Sequence, residues 1–236
     1  MAGIDVFIPL HAKDLAVAPL AITSLRRYLS PCPGRIVVVS EFPEVLASRA
    51  LRRAGAELIP AQQVPDIPPR AEMPSIVVKG QVRTGWYYQQ LLKWGVRRLA
   101  TSADYLIWDG DTLAITPVQV MVEGQAVFDR RDQYHLPYFS TFESLLGFQP
   151  GRQDSFITNY MVFNCRRLDQ LIQEIESRHP GLSWSQTILA TIDRTEMSSF
   201  SEYETYGYWL QQRHPGTFLR GMGRNRDLRR RHRFYH

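Results

Sequence analysis

Arg35-Ile36-Val37-Val38-Val39-Ser40 restricts this chain more than any other stretch. Four consecutive apolar, β-branched residues make a strand with no polar face, so both sides of its sheet must be covered. Ile4-Asp5-Val6-Phe7-Ile8-Pro9-Leu10 reads the same way. Between these two runs, residues 14–29 carry Leu15, Pro19, Ile22, Leu25 and Leu29 at a helical period. A helix over 43–54, with Pro43 in its first turn and Gly55 past its end, then leads to a short strand over 56–60. A long Pro-rich connection over 61–80 and a strong helix over 84–100 precede Tyr105-Leu106-Ile107-Trp108. Strands alternating with helices predict an α/β fold with a mostly parallel sheet and crossover helices.

The second half is less regular. Strands are expected at 125–128 and 160–163, and helices at 167–178, 184–194 and 201–213. Ser201 and Glu204 have the spacing of a capping box. Residues 129–156 carry no clear period. With 236 residues, the chain is long enough for one domain with a real core and no staples. Two distant cysteines, Cys32 and Cys165, argue against a disulfide framework or a zinc cluster and suit a reducing, cytoplasmic compartment. No apolar run approaches a membrane span, and the N-terminus has no secretory pattern.

The net charge of +5 is concentrated at one end. From Arg213 to His236 eight arginines face a single acid, Asp227, so the body is near neutral. Residues 220–236 are expected to be a basic tail. It suits an anionic membrane surface at the inner face or a phosphate-rich ligand, as well as plain solvation. No zinc-finger spacing or basic heptad helix accompanies it, so a nucleic acid is not the expected partner.

The sharpest chemical feature is Asp109-Gly110-Asp111, directly after an apolar strand. Ligands of open α/β sheets bind beyond the carboxyl ends of the strands. Two carboxylates one residue apart repel unless a cation lies between them. Mg²⁺ or Mn²⁺ suits oxygen ligands and also takes phosphate oxygens. The pattern therefore reads as a metal–diphosphate site, with a plain Asp-Gly strand exit as the bland counterpart. On the 84–100 helix, Trp86, Gln89, Gln90, Lys93 and Arg97 share one stripe, opposite Tyr88, Leu91, Leu92, Val96 and Leu99. Trp with two amides suits a sugar ring, and Lys93 or Arg83 suits a diphosphate. Glu202 and Glu204 at a helix start are candidate general bases, or simply complements to the helix dipole. Pro9, His11, Lys13 and Asp14, at the end of the first strand, lie at the same sheet edge as the DxD and are candidate nucleotide contacts. Asp154, Asn159 and Asn164 flank the late strand. His214 lies too far along its helix to partner Glu202.

These residues resemble a GT-A nucleotide-sugar glycosyltransferase, and more narrowly the bacterial DUF6492 glycosyltransferase-like group. The matching stretches are Ile8-Pro9-Leu10 with Lys13-Asp14, Gly85 to Lys93, Trp108-Asp109-Gly110-Asp111, and Phe200 to Gly207. The resemblance spans about 4–215. It implies a GT-A-like, Rossmann-like single domain over 1–219, with a donor half at 1–113 and an acceptor half at 114–219. It implies Asp109 and Asp111 holding Mn²⁺ or Mg²⁺ on the donor diphosphate, and Trp86, Gln89, Gln90 and Lys93 near the donor sugar. Glu202 or Glu204 becomes the base if the reaction inverts. Whether a third metal ligand comes from His214, His232, His236 or none of them stays open. The expected reaction moves a sugar from a nucleoside diphosphate sugar to a hydroxyl, with a surface polysaccharide or lipid-linked glycan as candidate acceptor. Two alternatives remain. One is a non-catalytic nucleotide-sugar or glycan-binding protein. The other is a haloacid-dehalogenase-type phosphohydrolase, whose motif wants Thr where Leu113 stands. A nucleotidyltransferase would want a Gly-rich basic loop after the first strand, which Leu10-His11-Ala12-Lys13 lacks.

Overall fold

A computed structural model describes residues 3–131, 134–151 and 155–221. Asp154, His232, His236 and the tail beyond 221 lie outside these residues. The first half runs β1 (Ile4–Pro9), α1 (Ala18–Tyr28), β2 (Leu29–Ser30), β3 (Pro33–Ser40), α2 (Pro43–Leu46), α3 (Arg49–Arg53) and β4 (Glu57–Pro60). A small hairpin of β5 (Val77–Val78) and β6 (Gln81–Val82) precedes α4 (Thr84–Gly95) and β7 (Asp104–Trp108). Then come β8 (Val118–Gln119), β9 (Met121–Val122), β10 (Gln125–Asp129), α5 (Leu136–Leu146), β11 (Tyr160–Asn164) and α6 (Cys165–Arg178). Last are α7 (Trp184–Thr191), α8 (Glu202–Arg213) and β12 (Phe218–Gly221).

The central sheet has the order β11-β7-β1-β3-β4. All neighbours are parallel except β11, which runs antiparallel to β7. The fold is thus a mixed α/β domain with a mostly parallel sheet between helices, as the apolar strand runs require. Every residue of β1 is buried, and Val37, Val38 and Val39 of β3 have no exposure at all. Phe7 meets the edge of Tyr105, and Tyr105 stacks on Phe163 at 5.4 Å, which ties β1, β7 and β11 by a row of rings. The Tyr105 hydroxyl donates to the Lys93 carbonyl at 2.9 Å and so fixes α4 against this row. A second sheet, β12-β10-β9, packs beside β11.

Some elements differ from the sequence pattern for local reasons. The single helix expected over 43–54 is two, because the Ser48 side chain accepts from Leu51 N and starts a new helix there. The segment after β1 opens with a 3-10 turn at Ala12–Asp14, and α1 begins only at Ala18. The 84–100 helix tightens into a 3-10 turn after Gly95. The stretch over 129–156 contains α5, which ends at Gly147 in the left-handed conformation with φ 72°.

The chain leaves β1 for β3 and β4 on one side, then returns to β7 on the other side of β1. Their carboxyl ends, Pro9, Ser40 and Trp108, therefore open onto a topological switch point, where α/β sheets bind ligands.

Candidate functional site

Beyond β7 the backbone turns at once. Thr112 N donates to the Asp109 carbonyl at 3.0 Å, and the Trp108 indole donates to the Thr112 carbonyl at 2.8 Å. Asn159 locks this turn from β11: its carbonyl accepts from Asp109 N at 2.9 Å, and its side chain donates to Thr112 Oγ1 at 2.9 Å. Gly110 is needed for space. A Cβ there would lie 2.4 Å from Leu10 Cδ1 and 3.3 Å from Ile8 Cγ2, so only glycine brings the turn this close to the end of β1. Asp111 is exposed and Asp109 is partly so.

Lys93 supplies the buried cation of the site. Its ammonium lies 3.2 Å from Asp109 Oδ1 and 2.8 Å from Glu202 Oε1, and 4.4 Å over the Tyr203 ring. Burial works against the charge, but Asp109 and Glu202 outweigh it and hold the ammonium well above its ordinary pKa. Burial raises the Asp109 carboxyl against the pull of Lys93, and the nearby charges of Asp111 and Asp14 push it further. Burial likewise raises Glu202, again opposed by Lys93. With its amide nitrogen turned to this carboxylate, Gln90 donates to both Glu202 oxygens.

Glu202 is 2% exposed, and both of its oxygens are engaged. Glu204 is equally buried. It accepts from Ser155 Oγ, and from Phe156 N at 2.8 Å, and burial raises its carboxyl to about 7. Both carboxylates are thus engaged within the protein, Glu202 by Lys93 and Gln90 and Glu204 by Ser155 and Phe156. Only half of the expected capping box forms: Ser201 accepts from Glu204 N, while the Glu204 side chain turns to the 155–156 backbone.

The amphipathic reading of α4 also needs correction. The helix is buried on all sides from Gln90 to Arg97. Arg97 leaves the site altogether, pairing with Asp169 at 2.8 Å and Asp66 at 2.9 Å. Ion pairing let two cations enter the core, so no solvated stripe remains. Gln89 does face the sheet edge, donating to the Pro9 carbonyl at 3.1 Å. Trp86 carries the Arg83 guanidinium on its ring at 4.8 Å, and Arg83 is tied to the Met197 carbonyl at 2.7 Å.

Beside the DxD turn a cleft opens between β1, β3 and α4, lined by Pro9, His11, Ser40, Phe42, Tyr88 and Gln89. His11 and Phe42 place their rings 4.4 Å apart. Lys13 is exposed and reaches Asp14 at 4.0 Å. Ser40, Glu41, Phe42 and Tyr88 were not read from the sequence. Ser40 ends a buried strand at the same edge as Pro9, and Glu41 and Phe42 follow it directly, which is a signal that could have found them. Burial, with Glu41 next, pushes the Tyr88 hydroxyl up to about 12. Glu41 itself pairs with Arg70.

His214 packs on Trp209 at 5.0 Å, and burial with Arg167 lowers its pKa. Its charge environment is that of Arg167, on α6. Among the described residues no three His, Cys, Asp or Glu side chains converge as a metal centre. The carboxylates of Asp109 and Asp111 nonetheless fit an Mg²⁺-type ion, which binds through one or two carboxylates and leaves the remaining positions to phosphate and water. No helix of the described residues is long and apolar enough to cross a membrane.

A family model described as "Family of unknown function (DUF6492)" matches residues 1–229. No curated protein sequence matches the chain. Among solved structures, the chain is similar to glucosyl-3-phosphoglycerate synthase from Mycobacterium tuberculosis. In complex with phosphoglyceric acid, that enzyme aligns at 13% identity and a TM-score of 0.49, covering 97% of this chain and 74% of the other. Its complex with Mg²⁺ and UDP aligns at 14% identity and a TM-score of 0.48, with the same coverage. The complex with Mn²⁺, UDP and glucosyl-3-phosphoglycerate gives 13% and 0.47.

Proposed function

The chain belongs to the DUF6492 family, and from that premise we propose that it is a metal-dependent, GT-A-like glycosyltransferase using a nucleoside diphosphate sugar. One observation carries the reading: Asp109 and Asp111 lie at the switch point of the sheet, beside a cleft between β1, β3 and α4. Residues 1–113 form the donor half in this reading, and 114–219 the acceptor half. The nucleoside occupies the cleft along Pro9, His11, Phe42 and Gln89, with Lys13 and Asp14 at its mouth. Asp111 and the free side of Asp109 hold Mn²⁺ or Mg²⁺. The metal neutralises the leaving diphosphate. Lys93 opposes the upward shift that burial gives Asp109 and orients its carboxylate, and Glu202 with Gln90 keeps Lys93 in place. The donor sugar faces Trp86, and the acceptor is a glycan or lipid-linked hydroxyl. A cytoplasmic setting, peripheral to an anionic membrane through the Arg-rich tail, belongs to the same proposal.

The test is Asp111→Ala. This exposed residue should be replaceable with little change in melting temperature, while Mn²⁺-dependent hydrolysis of a nucleotide-sugar falls by at least a hundredfold. Retained hydrolysis would remove the metal role. A panel of UDP-, GDP- and CDP-sugars with Mn²⁺ identifies the donor. At a hundred times its Kd, a bound donor raises the melting point by about 5–10 °C. The engagement of both Glu202 and Glu204 also favours a second reading, a nucleotide-sugar-binding protein without transfer. Saturable donor binding with no hydrolysis or transfer on any acceptor would establish it.

A further inference from the structure

A second cavity lies at the other end of β7. Its walls come from Asp104 at the start of β7, Asn164 at the end of β11, the first turn of α6, α8, and the β10 and β12 strands. Asn164 and Asp104 are register partners, so this cavity opens at the amino ends of the parallel strands. The DxD turn follows Trp108, four residues further along β7, about 13 Å away at strand rise. The cavity measures about 220 Å³. An engineered void of about 150 Å³ accepts benzene, so there is room for a small organic molecule.

Its polar groups are arranged and incompletely satisfied. Arg167 is half-buried in the wall, and its guanidinium has no ion-pair or hydrogen-bond partner among the described residues. Tyr206 is 1% exposed. Its hydroxyl accepts from Asn164 N at 2.9 Å, which leaves its own hydrogen without an acceptor among the described residues. A buried donor without an acceptor is costly, and native structures rarely leave one unfilled. Asn164 Nδ2 donates to Asp104 Oδ1 at 2.8 Å, which fixes that carboxylate with its second oxygen free of any such donor. The cavity therefore offers a guanidinium fork and a phenol hydrogen on one part of its wall, and a carboxylate acceptor on another. Phe128 and Phe218 supply apolar surface.

We propose that this cavity is a ligand site, separate from the DxD cleft, for a small hydroxylated oxyanion. Arg167 and Tyr206 bind the anionic group, and Asp104 accepts from a hydroxyl. Arginine suits carboxylate and phosphate alike by its planar fork, so the shared chemistry is an oxyanion with a neighbouring hydroxyl. Because α8 carries both Tyr206 and Glu202, occupancy bears directly on the helix that holds Lys93.

The test is titration calorimetry on the full chain with gluconate, glycerol 3-phosphate and inorganic phosphate. Saturable one-site binding of gluconate or glycerol 3-phosphate is expected, and which of the two binds tells carboxylate from phosphate. Arg167→Leu should weaken binding at least tenfold. Arg167→Lys, which keeps the charge and loses the fork, should fall between. Tyr206→Phe should weaken binding several-fold, and substitution of the exposed neighbour, Arg166→Leu, should change nothing. Asp111→Ala should bind these probes as the parent does, which separates this site from the fate of the proposed transferase site. No saturable binding to the parent, or equal affinity in both Arg167 variants, would overturn the proposal.

Discussion

Replacing Lys93 by Met removes the cation between Asp109 and Glu202 while keeping most of the side chain's volume. At an effective dielectric of about 20, a charge pair at the 2.8 Å of Lys93–Glu202 attracts by about 6 kcal/mol, and one at the 3.2 Å of Lys93–Asp109 by about 5. The cost of taking these charges from water offsets much of this. Loss of one partner of a buried pair costs about 3–5 kcal/mol, because the other charge stays uncompensated. For a chain of this size that lowers the melting temperature by roughly 6–20 °C. Glu202 bears most of the loss, since it is 2% exposed and keeps only Gln90. Its carboxyl is already raised by burial against the pull of Lys93, so removing Lys93 raises it further. The folded variant then holds a proton that the unfolded chain releases above about pH 4.3. Stability therefore falls as pH rises, and the deficit of Lys93→Met should be largest near pH 8 and smaller near pH 5. Urea unfolding at both values measures it. Lys93→Met combined with Glu202→Gln should recover most of the loss, because the fully buried carboxylate is gone and the one left without its cation, Asp109, reaches solvent. A single variant within about 1 kcal/mol of the parent at pH 8 would refute the argument that this ion bridge organises the site.

Glu204 makes a separate pH prediction. Its carboxyl, raised to about 7 by burial, favours the protonated folded state, so stability should fall between about pH 4.5 and 7 by up to roughly 3 kcal/mol. Glu204→Gln should flatten that part of the stability curve whatever its own offset, and an unchanged slope would show that another group titrates there. Gly207→Ala should destabilise by about 1–3 kcal/mol in urea unfolding, since its Cβ would lie 2.4 Å from Phe156 Cγ in the rigid ring. Alanine's better helix propensity alone would give the opposite sign, so a stabilised variant would mean that the α8–Phe156 contact yields easily.

Much of the fold was legible because its signals are local. Continuous apolar runs marked β1, β3 and β7, and Ser201 marked the start of α8 at the right residue. The DxD could be placed at a sheet edge because a parallel α/β order puts strand ends on one side. What sequence reasoning missed was where polar side chains spend their hydrogen bonds. The stripe of Trp86, Gln89, Gln90, Lys93 and Arg97 was correct as helical geometry, yet it was read as a face open to ligand. Its cations are instead buried by Asp109, Glu202, Asp66 and Asp169, which come from four distant parts of the chain.

The amino-acid sequence by itself thus determined the α/β class, the strand that delivers the two acids, and the helix that begins at Glu202, since each depends on neighbours within a few residues. Only the tertiary structure decided that Asp109 meets Lys93, that Glu202 and Glu204 have both oxygens engaged, and that Arg167 and Tyr206 share a cavity at the far end of β7. Charges in a core pair with whatever the topology brings within reach. That choice is long-range, and no local period of the sequence encodes it.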